Sequence, residues 1–417
     1  MANTLDILKT ELFSPAKGEY RPDWFRAQGY INGTHTSPSE RRADGIYALF
    51  TLPEPYIYKG DLIAGSVRPL FVSLTPEQIE TYTKACQPYP ERNFFSHSDH
   101  FAPDYETILT IGIPGLLEKI ATSRKAHEAE TEAVELLDSM ALALEGLTGR
   151  LRAYADKASK LAKENAAEKA EGIDQNGSYD AERLRFIEEN CRALTEKAPE
   201  TFAQGLQLVW MIHSCFVYEG RYAMALGRID QYLYPLYKKD IDRGLITPEF
   251  ATELLANTFL KICETRIRGG DDVVNICIGG IDRTGNLAVN PLSYCVLHAV
   301  RDVNLPGPNL SARITSDTPD EFLDDCLKVI GTGLGYPALM NDNVNIAALR
   351  RYGYDEEDIR NYCMVGCIEN FLPGLQPPWA DGRFDPINYL EILLRSDAEG
   401  ISSGTDLPAT MDEFMSR

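Results

Sequence analysis

Helix-forming segments alternate with short runs of apolar and β-branched residues throughout residues 247–381. The predicted strands cover residues 273–278, 310–315, 338–340 and 362–365. The predicted helices around them cover residues 248–268, 291–303, 319–331, 344–352 and 355–361. Because strands that alternate with helices are joined by right-handed crossovers, this pattern predicts an α/β fold with parallel strands, either a doubly wound sheet or a barrel.

Polar and unusual residues follow three of the predicted strands. Asp282 comes after the first strand, residues 341–343 (Asn-Asp-Asn) follow the third, and Cys367 with Glu369 follows the fourth. Functional groups of parallel α/β folds lie at the carboxyl ends of the strands. The sequence therefore predicts that the stretch 361–381, which contains Cys367, lies on the active face.

Cys367 and Glu369 are the most chemically suggestive pair in this stretch. If residues 366–370 are extended, the period of two places both side chains on one side, within reach of one small molecule. A thiol beside a carboxylate suggests catalysis. A strand-end cysteine that packs as a small hydrophobe, with Glu369 facing water, fits the same spacing. The pattern alone leaves both interpretations open.

The chain before residue 247 has a different character. Residues 123–200 are rich in Ala, Glu, Lys and Leu with apolar residues at helical spacing, which predicts a helical subregion. Frequent Pro, Gly and aromatic residues predict a loop-rich start over residues 1–60, with an extended stretch near residues 46–58. His100 belongs to a predicted loop that precedes a helix over residues 106–122.

Composition argues against several classes of function. A net charge of -21 without a basic block disfavours a nucleic-acid or membrane partner. Nine scattered cysteines, and an N-terminus without a leader-like apolar region, predict a reducing, cytoplasmic location. The spacing Cys363-x-x-x-Cys367 lacks a third cysteine, since Asn370 stands there, and His100 has no paired cysteines nearby. We therefore predict no metal and no cofactor bound by this chain.

Several short motifs, in the same order, resemble the glycyl radical enzyme family, the group that contains pyruvate formate-lyase and radical dehydratases. They are G-D-L-I-A-G at 60–65, H-F-A-P-D-Y at 100–105, L-G-R-I-D-Q-Y-L-Y-P at 226–235, N-I-C-I-G-G at 275–280, P-N-L-S-A-R at 308–313, G-Y-P-A-L-M-N-D at 335–342 and G-C-I-E at 366–369. The resemblance implies that residues 1–417 form a pyruvate formate-lyase-like domain. Its expected fold is the first part of a ten-stranded α/β barrel, a half-barrel with an N-terminal helical region.

The resemblance also implies roles for individual residues. The cysteine matching Cys367 becomes a thiyl radical that abstracts a hydrogen atom, and Glu369 serves as its acid–base partner. The Cys-x-Glu pattern is typical of the eliminase and dehydratase branch. Positions matching His100 and Asp381 contact substrate and are expected to donate protons to a leaving hydroxyl. Tyr222 is a further candidate for lining the pocket, although a packing role fits it as well.

The family's C-terminal radical motif, R-V-x-G-Y, is absent from the sequence. We therefore expect the glycyl radical on a missing C-terminal part, installed by an S-adenosylmethionine-dependent iron–sulfur activating enzyme. The expected protein is inactive without that part, forms a homodimer when complete and acts on a small hydroxylated molecule. Two alternatives remain at this point: a formate C-acetyltransferase type of carbon–carbon lyase, and an inactive or split subunit of such an enzyme. Apolar neighbours such as Ile368 and Phe371 are expected to keep the site dry.

Overall fold

The computed structural model describes residues 4–88, 99–170, 179–264, 273–379 and 412. The chain divides into two compact units, residues Met1–Pro378 and residues Trp379–Arg417. Every helix and strand given below lies in the first unit. Asp381, a predicted substrate contact, falls outside the described residues.

The first eighty-odd residues are mainly helical, so the prediction of a loop-rich start is wrong. Short strands β1 (Glu19–Tyr20) and β2 (Phe71–Val72) pair antiparallel between helices α1 (Thr4–Leu12), α2 (Pro22–Asn32), α3 (Pro38–Thr51) and α4 (Pro76–Cys86). In α3 the Ser37 hydroxyl accepts from Glu40 N and Pro38 occupies the first turn. This local N-terminal signal overrides the apparent alternation near residues 46–58.

A helical layer follows. It consists of α5 (Tyr105–Ala126), α6 (Thr131–Ala170), α7 (Ala181–Leu194), α8 (Phe202–Tyr218), α9 (Ile229–Tyr232), α10 (Tyr234–Asp242) and α11 (Pro248–Ile262). Helix α8 is buried on nearly every face, and α3, α5 and α7 pack against the long helix α6. Within the described ranges, no helix combines the length and the apolar character needed to cross a membrane.

Three parallel strands form the sheet predicted by the alternation. They are β3 (Asn275–Gly279), β4 (Asn309–Ile314) and β5 (Ala338–Asn341), in the order β3-β4-β5. Helix α12 (Pro291–Val303) connects the first two strands, and α13 (Asp320–Val329) connects the second two. In register, Asn275 lies opposite Asn309 and Gly279 lies opposite Arg313. We call the side of the sheet where Asn275 and Asn309 begin the N-terminal edge, and the side of Gly279 and Arg313 the C-terminal edge.

The fourth predicted strand does not join this sheet. After α14 (Asp342–Leu349) and α15 (Glu356–Arg360), β6 (Cys363–Val365) pairs antiparallel with β7 (Glu369–Phe371) to form a hairpin over residues 362–372. The carbonyl of Tyr362 accepts from Arg313 Nη1 at the C-terminal edge, at 3.0 Å. The carbonyl of Gly366 accepts from the Asn275 amide at the N-terminal edge. The strand β6 therefore runs against the direction of β3, because Tyr362 is fixed at the C-terminal edge.

Candidate active site

The hairpin carries Cys367 at its tip. Residues 366–368 form the turn, in which Gly366 has φ +55°, a left-handed conformation that favours glycine. The extended conformation considered for residues 366–370 therefore applies only to residues 369 and 370, which belong to β7. The Glu369 carboxylate folds back onto the turn, where it accepts from the backbone N–H of Ile368, the residue that follows Cys367, at 3.0 Å.

Cys367 differs from every other cysteine of the chain in its exposure. The side chain of Cys367 is exposed, whereas the other eight cysteines are buried. Burial raises the pKa of the Cys277 thiol to about 12, since a thiolate is costly in an apolar interior. Ile368, expected to shield the site, is 61% exposed, while Phe371 is fully buried. In the part of the chain that is described, the thiol at the tip is thus accessible.

His100 lies directly beside the turn. A Cβ atom on Gly366 would collide with the imidazole Cδ2 and Nε2 of His100, and that same position lies 2.7 Å from Glu369 Oε2. The other ring nitrogen of His100, Nδ1, is 3.1 Å from Asp99 Oδ1. The residue His100 is 9% exposed, and its imidazole is held between Asp99 and the hairpin. The fold therefore gathers three predicted site residues, Cys367, Glu369 and His100.

The backbone around His100 is fixed to two other segments. Ala225 N donates to Phe101 O at 2.8 Å, and Gly366 N donates to Ala223 O at 3.2 Å. Gly374 N donates to Ala102 O at 3.1 Å. These bonds join the His100 segment, residues 223–225 and the hairpin, which sets the position of the imidazole relative to the turn.

Residues at the N-terminal edge complete this environment, and sequence reasoning did not single them out as site residues. Tyr336 donates its hydroxyl to Asn309 Oδ1 at 2.7 Å. Burial raises the pKa of Tyr336, and the nearby charge of Cys367 acts in the same direction. Asn275, 1% exposed, binds the Gly366 carbonyl through its amide nitrogen. The available signal was that Asn275 and Tyr336 belong to two of the resemblance motifs.

The polar residues at the C-terminal edge have structural roles, contrary to the prediction that they line the active face. Arg313 forms a bidentate ion pair with Asp342, at 2.7 and 2.9 Å, and the Tyr362 hydroxyl also donates to Asp342. Asn341 caps α14 by accepting from Asn343 N, and Asp282 accepts from Thr284 N within its own turn. Arg313, Asp342 and Tyr362 thus bind one another across the folded chain, whereas Asp282 and Asn341 bind backbone N–H groups two residues away.

The motif over residues 226–235 also serves the C-terminal edge. Arg228 donates from Nη2 to Gly279 O at 2.9 Å and from Nη1 to Arg360 O at 3.1 Å. Asp230 accepts from Gly279 N and from the Ser293 hydroxyl, at 2.9 and 2.6 Å. Burial lowers the pKa of Arg228 to about 10, so the guanidinium is still charged at neutral pH. The motif ties the end of β3 to α12 and to the start of the hairpin.

Tyr222 is half-buried and packs against the main hydrophobic core. Across the described ranges, no group of three or more His, Cys, Asp or Glu side chains is placed to hold a metal ion. The candidate site consists of a thiol and a carboxylate on a hairpin that lies across a parallel α/β sheet, with the His100 imidazole beside the turn.

This combination defines an α/β protein with a thiol-bearing hairpin, and comparison with known proteins gives its family. The model of the pyruvate formate lyase-like family matches residues 69–414, so the chain belongs to that family. It is 30% identical over 303 residues to the probable dehydratase YbiW of Escherichia coli, covering 68% of this chain and 36% of the relative. It is 28% identical over 425 residues to (2S)-3-sulfopropanediol dehydratase of Klebsiella oxytoca, covering 96% of this chain and 50% of the relative.

The fold is also shared with solved structures. The glycerol-bound B12-independent glycerol dehydratase of Clostridium butyricum superposes with a TM-score of 0.82 at 23% identity, covering 99% of this chain and 61% of that structure. The chain spans half or less of the length of the two curated relatives named above.

Proposed function

We propose that this chain contributes the substrate-activating hairpin of a glycyl radical lyase or dehydratase that acts on a small hydroxylated molecule. The observation that carries the proposal is an exposed Cys367 in a hairpin turn against which the Glu369 carboxylate and the His100 imidazole both lie. The names of the relatives support elimination chemistry, since they describe dehydratases of hydroxylated compounds.

Each of the three side chains has a distinct role in the proposed elimination. The oxidised Cys367 sulfur takes a hydrogen atom from the substrate carbon that bears a hydroxyl, which restores the S–H bond and leaves a carbon radical. That radical acidifies the hydroxyl, and the Glu369 carboxylate accepts its proton. A protonated His100 donates a proton to the departing neighbouring substituent, which leaves as water when it is a hydroxyl. The product radical then recovers a hydrogen atom from Cys367.

The remaining parts of the proposed enzyme are proposed to lie outside residues 1–417. A glycyl radical supplies the one-electron oxidation of the Cys367 thiol when it is present, and the accessible thiol fits that demand. We place the radical-bearing glycine on further polypeptide, together with the strands that would complete a ten-stranded barrel from this half. An S-adenosylmethionine-dependent iron–sulfur enzyme would install the radical, the complete enzyme would be a homodimer, and this chain alone would be inactive.

The test is anaerobic activation of the chain, co-produced with the polypeptide encoded downstream and with an activating enzyme. Electron paramagnetic resonance would report the glycyl radical, and a panel of vicinal diols, amino alcohols and hydroxysulfonates would report elimination. We expect Cys367→Ser to retain the radical signal and lose turnover. Cys363→Ala, on the same hairpin but buried, is the matched control and should retain turnover. Turnover by Cys367→Ser, or formate release from pyruvate and coenzyme A, would contradict the proposal.

A further inference from the structure

The exposed Cys367 is held through its backbone, because side chains bind both of the peptide groups that flank it. On one side, the Gly366 carbonyl accepts from the Asn275 amide nitrogen. On the other side, the Ile368 N–H donates to Glu369 Oε2 at 3.0 Å. A peptide group is planar and carries the α-carbons of both residues that it joins. Fixing these two peptide groups therefore fixes the Cα atom of Cys367 and the direction of its Cα–Cβ bond.

Asn275 is the more permanent of the two anchors. Glu369 is half-buried and accepts a proton in the proposed elimination, so its carboxylate is shared between the Ile368 N–H and the substrate. Asn275 is 1% exposed at the start of β3, and its backbone carbonyl accepts from Leu226 N at 2.8 Å. The Gly366 carbonyl can only accept, so the amide nitrogen of Asn275 must face it. Asn275 therefore holds the turn whatever the state of Glu369.

The bond from Asn275 acts on a residue that is already constrained. Gly366 has a left-handed φ of +55°, and its N–H donates to Ala223 O at 3.2 Å. With its N–H and its carbonyl both bound, Gly366 cannot rotate the peptide group that leads to Cys367. Loss of the Asn275 donor would allow that rotation, while the pairing of β6 with β7 would still hold the hairpin together. The expected consequence is a local movement of the turn.

We propose that Asn275 is a positioning residue for the Cys367 sulfur, a role that rests on the function proposed for that thiol. In the proposed reaction the sulfur gives up its hydrogen atom to the glycyl radical and then takes one from the substrate carbon. Both transfers need the sulfur at a defined distance, and a displacement of about 1 Å can lower a rate about a hundredfold. Asn275 itself exchanges no proton or electron.

Turnover by the activated complex of this chain with the downstream polypeptide tests the catalytic part of the proposal. Asn275→Asp keeps the shape of the side chain but replaces the donor by a carboxylate, which only accepts, and Asn275→Ala removes the donor without adding charge. Both variants should lower kcat at least roughly tenfold, leave KM unchanged and retain the glycyl radical signal. Wild-type kcat in either variant, or a KM raised in proportion to the loss, would overturn the proposal.

Asn165 provides the matched control. It is 4% exposed, and its amide nitrogen also donates to one backbone carbonyl, that of Tyr179, at 2.6 Å. Asn165→Asp and Asn165→Ala therefore carry a similar cost of burying a changed side chain, without a contact to the hairpin turn. Both should keep the wild-type kcat per folded enzyme. A loss of kcat equal to that in the Asn275 variants would overturn the positioning role.

Hydrogen exchange on the chain alone tests the anchor without any turnover. Mass spectrometry of peptides that cover residues 366–368 should show faster exchange in Asn275→Ala than in the wild type or in Asn165→Ala. Unchanged exchange of the turn in folded Asn275→Ala would overturn the anchor. Faster exchange together with a wild-type complex that carries the radical but turns over no substrate would instead overturn the function proposed for Cys367, and with it the catalytic role of Asn275.

Discussion

The two edges of the β3-β4-β5 sheet use polar residues in opposite ways. At the C-terminal edge the Arg313 and Asp342 side chains are 0% and 1% exposed and bind one another. At the N-terminal edge Asn275 and Tyr336 surround a turn whose thiol, Cys367, is exposed. Charge at the first edge holds the fold together, and an exposed thiol lies at the second.

The hairpin direction explains this difference. Arg313 and Asp342 fix Tyr362 at the C-terminal edge, so the following residues run across the sheet to the opposite edge. A fourth parallel strand would have placed Cys367 beside Asp342. The Arg313–Asp342 ion pair holds Tyr362 at the C-terminal edge, and the hairpin that starts there places Cys367 at the N-terminal edge.

The largest expected effect is on the C-terminal edge. Arg313→Met leaves the Asp342 carboxylate buried without its ion-pair partner, which should lower the free energy of unfolding by about 3–5 kcal/mol. Urea unfolding would measure the loss. The double variant Arg313→Met/Asp342→Leu removes both charges and should recover part of it.

Arg350 provides a control for this prediction. It forms an ion pair with Glu356 whose side chains are 53% and 45% exposed. Arg350→Met should change the urea midpoint little, since exposed pairs are well screened. A loss in Arg313→Met no greater than that in Arg350→Met would remove the distinction between the two edges.

A smaller effect is expected at the turn. Gly366→Ala should lower the free energy of unfolding by about 1–2 kcal/mol for the left-handed backbone alone. The contact with His100 should add about 1–3 kcal/mol. Gly353 also has a positive φ, +78°, but its Cβ position has nothing within 4 Å, so Gly353→Ala measures the backbone cost alone.

A double-mutant cycle separates the two contributions at Gly366. His100→Ala empties the space that the new methyl group needs, so Gly366→Ala should cost less in that background. Equal costs for Gly366→Ala and Gly353→Ala, or no coupling with His100→Ala, would contradict the contact between the imidazole and the turn.

The smallest expected effect is at the N-terminal edge. Tyr336→Phe removes the hydrogen bond to Asn309 and should lower the free energy of unfolding by about 1 kcal/mol. Tyr352, which is 76% exposed, gives a control in which Tyr352→Phe should have no measurable effect. If Tyr336→Phe matches that control in urea unfolding, the bond to Asn309 does not contribute to this edge.

Local patterns predicted much of the fold. The alternation from residue 247 onward gave the three parallel strands, because each crossover helix and each buried strand has its own period. The N-terminal helices were missed although Ser37 and Pro38 form a recognisable helix start. In that segment the prediction gave more weight to the aromatic and glycine content than to the specific capping signal.

The site was only partly predictable, because its geometry depends on contacts between distant residues. Spacing suggested that Cys367 and Glu369 share one side of an extended strand, but Cys367 lies in a turn onto which the Glu369 carboxylate folds back. The meeting of His100 with Gly366 depends on backbone bonds such as that from Ala225 to Phe101. The pairing of Arg313 with Asp342 has no local sequence signal. This ion pair fixes Tyr362 at the C-terminal edge, so that β6 runs opposite to β3.

The central claim is that Cys367 is the accessible thiol at the N-terminal edge. Brief treatment of the native chain with iodoacetamide, followed by peptide mass spectrometry, measures it directly. The account predicts modification at Cys367, with the eight buried cysteines reacting only after denaturation. Protection of Cys367, or modification of Cys277 or Cys363 at a similar rate in the native chain, would contradict it.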